Sequence, residues 1–105
     1  LSLTPAYDIC PQGRAGNEAT QAMLIIGDNR MSNLAVCLSA SAKFLLSEQE
    51  AIELISHCIR SVHKNWEAIC DEASLSEVDR RFLWGRAFLN PFIFEGTPEA
   101  IMQLR

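Results

Sequence analysis

The strongest constraint on this chain is a helix-start signal followed at once by a long apolar stripe. Ser47-Glu48-Gln49-Glu50 has the form of a capping box: the Ser47 hydroxyl accepts from the amide of residue 50, and the Glu50 carboxylate reaches back to the amide of residue 47. Behind it Ile52, Ile55, Ile59, Val62, Trp66 and Ile69 recur at steps of three and four, which places them on one face of a helix running to about residue 72. Such a face is core, or a seam against another helix. Its seven-residue spacing lasts fewer than three heptads, too short for a coiled coil, so an intramolecular packing face is expected.

Helical patterns flank this element on both sides. From Asn33 to Phe44, Leu34, Cys37, Leu38 and Ser41 fall at helical intervals among three alanines, which favour helix and permit close packing. Ser76 repeats the start signal with Asp79 three residues on, and Val78, Phe82, Leu83, Ala87 and Leu89 predict a third helix over about 77–89, with Trp84 and Phe88 beside its apolar face. Gly85 within it would let a neighbouring element approach closely, and Asn90-Pro91 should end it, because the residue before proline disfavours the α region. Phe92-Ile93-Phe94 then reads as an apolar hook. Thr97-Pro98-Glu99 opens a short terminal helix through Leu104, with Pro98 at its first position.

The N-terminal edge is different in kind. Residues 1–21 carry two prolines, two glycines and many polar side chains, and read as an extended lead-in and an irregular loop. Gly13-Arg14-Ala15-Gly16-Asn17 lacks the Gly-Lys-Ser/Thr ending of a phosphate-cradling loop and reads as a flexible turn. Ala22 to Ile26 is a short apolar run stopped by Gly27-Asp28-Asn29. Period cannot decide over five residues, so a short β-hairpin at about 22–32 and a buried helical segment both fit. The fold class expected is mainly α: residues 1–105 form one domain, a cluster of three to four helices with a loop-rich edge.

At 105 residues, 49% apolar and 21% charged, the chain suits a soluble globular domain with a single core. No apolar run approaches the roughly 20 residues that span a bilayer. A net charge of -4 argues against non-specific nucleic-acid binding, and the one basic cluster, Arg80, Arg81 and Arg86, reads as a solvated face. Cys10, Cys37, Cys58 and Cys70 stand 27, 21 and 12 positions apart, with no spacing suited to tetrahedral zinc. Lying in or beside apolar faces, the last three read as reduced, buried thiols in a cytoplasmic protein. His57 falls opposite Ile55 on the helix and should be exposed; His63 flanks the stripe and should be partly buried and hydrogen-bonded. Neither is expected to be catalytic.

Two N-terminal residues have a chemical reading. Asp8 follows Pro5 and Tyr7 in a loop, where a carboxylate can be held by its neighbours and aimed at a cation. On the residues alone the stronger reading of Asp8 is a turn-former bonded to nearby amides, and of Tyr7 a packing residue. Leu3-Thr4-Pro5-Ala6-Tyr7-Asp8-Ile9 resembles the "L-x-P-x-Y-D-hydrophobic" segment near the C-terminal end of HipA-like serine/threonine protein kinases. Met23 to Gly27, the helix ending at Phe44 and Leu45 to Ala51 resemble the order of elements in that family's C-terminal helical region, a likeness extending to about Phe94.

The resemblance implies that Asp8 binds the magnesium that accompanies ATP and that Tyr7 lies at the nucleotide site. A fixed carboxylate there positions the metal that bridges the β- and γ-phosphates during phosphoryl transfer. It also implies partners: the remainder of the kinase chain, a DNA-binding antitoxin, or a protein substrate such as an aminoacyl-tRNA synthetase. The His-Gly-Arg-Asn-like catalytic loop of the family, its phosphate-covering loop and its phosphate-binding Lys have no counterpart in these residues. The expectation is therefore a C-terminal piece of a longer chain, inactive alone, that binds Mg²⁺ and ATP only as part of its parent. The alternative is a non-enzymatic interaction module that docks through Trp66, Trp84, Phe88, Phe92 and Phe94.

Overall fold

The computed structural model describes residues 2, 4–6, 20–21 and 23–105, and these form a small helical cluster. In chain order the elements are α1 (Leu34–Ser39), a 3₁₀ turn (Ser41–Phe44), α2 (Glu48–Glu72), α3 (Glu77–Leu83), a second 3₁₀ turn (Pro91–Phe94) and α4 (Glu99–Met102).

The capping box forms in full. The Glu50 amide donates to Ser47 Oγ at 3.1 Å and the Ser47 amide donates to Glu50 Oε1 at 3.0 Å, which starts α2 at Glu48. At 25 residues α2 is about 37 Å long, and α1, the first 3₁₀ turn and α4 pack against it. Its C-terminus closes where Ser74 turns left-handed at φ 56° and the Leu75 amide returns to the Cys70 carbonyl at 3.0 Å.

The core lies against the N-terminal half and middle of α2. Ile59, Phe94 and Ile101 form its buried centre, with Leu34, Leu38, Ile52, Ile55 and Ile93 among the half-buried side chains packed around them. The apolar hook thus folds inward, with Phe92 and Phe94 buried. Asn33 fixes it there. Its buried side chain accepts from the amides of Ala35 and Val36 at 2.8 and 3.3 Å to cap α1, and donates through Nδ2 to the carbonyls of Phe92 and Glu95 at 2.9 and 3.0 Å. One amide group therefore joins a helix start to a turn some sixty residues away, leaving neither its donors nor its acceptor unmet.

Several boundaries depart from expectation. The first helix is not continuous from Asn33 to Phe44: it leaves α geometry at the buried Ala40 and resumes as a 3₁₀ turn, ending where Leu45 adopts φ 60°. The third helix stops at Leu83, not near residue 89. Trp84 is extended, Gly85 takes φ 78°, and the Leu83 carbonyl receives the amides of Arg86 and Ala87 at 3.1 and 2.9 Å. Gly85 serves that reversal and not close packing, since a Cβ on it would meet nothing within 4 Å. Pro98 stands at the N-cap of α4, one place before its expected position, and α4 ends at Met102.

Two antiparallel bridges, Thr20 to Met31 and Ile26 to Asn29, form a hairpin-shaped turn with Gly27 left-handed at its tip. No strand extends from it among the described residues. Met23 and Leu24 are exposed, so this pair of segments has no third layer to cover it and stays at bridges.

Candidate functional site

Asp8 and Tyr7, the metal and nucleotide residues implied by the resemblance, lie outside the described residues, as does Cys10. The described part of that segment, Thr4, Pro5 and Ala6, is exposed. Among the described residues no group of three or more His, Cys, Asp and Glu side chains is placed to hold a metal ion, and no helix is long and apolar enough to cross a membrane.

What the helical body does present is an open apolar face along α2. A groove of about 300 Å³, lined by Leu34, Leu54, Ile55, Val62 and Ile93 with Cys37 and Cys58, runs between α1 and the middle of α2. Past Val62 a second hollow of about 250 Å³ continues beside Trp66, Ile69 and Phe88. Leu54 is 53% exposed and Ile69 58% exposed. The stripe, expected to be an intramolecular packing face, is therefore split: Ile59 is sealed, whereas Ile69 at its C-terminal end faces water.

The thiols divide the same way. Cys70 is fully buried as expected, but Cys37 and Cys58 are exposed residues at the groove wall, which corrects the reading of all three as buried. Desolvation at the groove wall, partly offset by a backbone hydrogen bond, raises the Cys37 pKa. That keeps it a thiol and disfavours it as a nucleophile.

At the C-terminal half of α2 the packing changes from aliphatic to aromatic and ionic. Trp66 lies between Trp84, at 5.0 Å between centroids and 48° between planes, and Phe88, at 4.9 Å and 56°. His63 meets Trp84 edge-on at 5.3 Å, and its Nε2 lies 2.9 Å from the Leu104 carbonyl. A carbonyl can only accept, so Nε2 carries the proton, and in the neutral imidazole Nδ1 is the acceptor. His63 is thus hydrogen-bonded as expected, yet exposed, and His57 is exposed as expected. Of the five aromatics considered for docking, Phe92 and Phe94 are core, and Trp66, Trp84 and Phe88 stay half-buried at this joint.

Arg80 secures the joint. Its Nε donates to the Leu75 carbonyl at 3.1 Å, Nη1 to Glu67 at 3.0 Å and Nη2 to Asp71 at 2.7 Å, and the Asp71 bond is the chief cause raising its pKa. Arg80 is only 19% exposed, so the basic cluster is not uniformly a solvated face. Arg81 is exposed, paired with Glu77 at 3.2 Å, and Arg86 caps the Phe82 ring at 4.6 Å from its centroid. The signal for this joint was in the sequence: Glu67 and Asp71 are four apart and so share a helix face. Which Arg they would meet depended on how the Ala73–Ser76 connection turns.

α3 docks by its polar and aromatic side, through Arg80 and Trp84, and turns its apolar side outward, with Val78 75% and Phe82 49% exposed. The expected inward apolar face of this helix is therefore reversed in its first two turns. No family model, curated protein or solved structure matches this chain.

Proposed function

We propose that this chain is a non-catalytic helical scaffold that docks another polypeptide against the open apolar face of α2. The observation that carries the reading is the groove between α1 and α2, whose lining is wholly apolar and which continues past Val62 to Ile69 and Phe88. Apolar side chains left at a continuous surface favour association, at about 25 cal/mol per Å² removed from water. The outward Val78 and Phe82 extend the same property to a second face.

A more specific form of the reading rests on the Leu3-Thr4-Pro5-Ala6-Tyr7-Asp8-Ile9 segment. In it the chain is the C-terminal subdomain of a HipA-like, Mg²⁺- and ATP-dependent serine/threonine kinase of the cytoplasm. The docked polypeptide is then the remainder of that kinase, with Asp8 supplying one metal ligand and Tyr7 a nucleotide contact. Support comes from that segment and from the mainly helical architecture downstream of it.

The test of docking is Leu54→Lys combined with Ile69→Lys, both at exposed positions. The unsubstituted chain should bind the apolar dye 1-anilinonaphthalene-8-sulfonate while fully folded by circular dichroism, and the double variant should fold equally well with most of that signal lost. A wild-type chain that is folded and dye-silent rules the docking face out. The kinase form is tested separately, by residues encoded just upstream of Leu1: a His-Gly-x-Asn-like loop is expected there, and its absence ends that form alone.

A further inference from the structure

Between the C-terminal half of α2 and α3 lies a cleft of about 480 Å³ lined by His63, Trp66, Glu67, Glu77, Arg81 and Trp84, with Arg80 at its side. We infer that this cleft is a binding site for a guanidinium cation, specifically the arginine side chain of a basic peptide segment. The inference is independent of the apolar groove and of the kinase resemblance.

The sign of the ligand follows from which groups are already occupied. Arg80 is withdrawn, and each of its guanidinium nitrogens donates to the Leu75 carbonyl, Glu67 or Asp71, so it offers little to an incoming anion. Glu67 uses only Oε2 in that network, and Glu77 only Oε1 toward Arg81, so among the described residues an oxygen of each has no donor. His63 adds Nδ1 as a further acceptor. Counting Asp71 with the lining groups, three carboxylates face two guanidinium groups, on a chain whose net charge is -4. A cation is drawn in and an anion is repelled.

The shape narrows the cation to a flat one. Trp66 and Trp84, both half-buried, stand 5.0 Å apart and tilted by 48°, so they give the cleft an indole wall and floor with exposed ring area. The face of an indole attracts a cation, and a guanidinium stacks on it while its edge donates in pairs to a carboxylate. Lysine ammonium satisfies the charge but not the stacking. The cleft volume falls within the range of small-ligand sites.

The chain contains two tryptophans, and both line this cleft, so tryptophan fluorescence reports on its occupation. N-acetyl-arginine amide should change that fluorescence saturably, with half-saturation on the order of millimolar for one exposed side chain. The neutral isostere N-acetyl-citrulline amide should bind about tenfold more weakly, N-acetyl-lysine amide should fall between, and added salt should weaken the arginine probe. Two surface substitutions decide the sign without threatening the fold. Glu77→Gln should weaken the arginine probe by roughly two- to fivefold. Arg81→Ala should tighten it, because it removes a competing cation and frees Glu77. If N-acetyl-glutamate amide is the probe that titrates, if Arg81→Ala weakens arginine binding, or if no probe changes the fluorescence, the assignment is wrong.

Discussion

The two ends of α2 are held by different physics. Around Ile59 the helix meets Phe94 and Ile101 in an aliphatic and aromatic core closed by buried hydrogen bonds from Asn33. Around Trp66 it meets α3 through tilted rings and a guanidinium shared by two carboxylates that are themselves largely exposed. Apolar burial there is partial, and exposed ion pairs contribute little because water and salt compete for both partners. The first region should therefore set the stability of the whole, and the second should open locally without unfolding it.

The sharpest way to break this contrast is Phe94→Ala. Phe94 is nearly fully buried beside Ile59 and Ile101, so truncation leaves a cavity at the centre of the core. A loss of about 3–5 kcal/mol is expected, enough to consume much of the stability of a domain this size. Chemical denaturation monitored by helix circular dichroism checks it; a loss below about 1 kcal/mol would mean that the region around Phe94 is not what holds the fold.

The joint at α3 should respond differently to Arg80→Met. The substitution keeps an apolar stem but removes the donors to Leu75, Glu67 and Asp71. Amide exchange across Glu77–Leu83 should speed up by an order of magnitude or more, while exchange near Ile59 stays slow and the global denaturation midpoint moves little. Salt should mimic the substitution in the unsubstituted chain. If slow exchange is lost equally in both regions, the two ends of α2 form one cooperative unit and the distinction between them fails.

How far the sequence could anticipate this contrast depends on the range of the interactions involved. α2 was legible almost to the residue, because a capping box and a 3.6-residue apolar period are local signals. Its burial was not: the period marks Ile59 and Ile69 alike, and only tertiary packing decides that one is sealed and the other open. The early end of α3 followed from Gly85 adopting φ 78°, a conformation open to glycine that an apolar pattern continuing through Leu89 concealed. Asn33 could be anticipated at a helix start, but its grip on the Phe92 and Glu95 carbonyls could not, since those partners are distant in sequence. The candidate chemistry at Tyr7 and Asp8 was legible only as a resemblance. The cleft at Trp66 and Trp84 arises from a turn between helices that no local pattern specifies.

The smallest expected effect concerns the start of α2, the element both regions share. Hydrogen bonds to the backbone amide and then the hydroxyl of Ser47 hold the Glu50 pKa below its ordinary value of 4.5. A folded pKa depressed in this way contributes stability above the unfolded value, and the contribution disappears as pH falls through the folded value. Glu50 should therefore titrate by NMR at lower pH than an ordinary glutamate side chain. Ser47→Ala should return the Glu50 titration toward the ordinary value and cost about 1 kcal/mol at neutral pH through loss of the cap. Because the cap lies at the core end of α2, that cost should appear in global unfolding and leave the α3 exchange rates relative to the core unchanged. An unshifted Glu50 titration in the intact chain would mean that the reciprocal hydrogen bond from the Ser47 amide does not persist in solution.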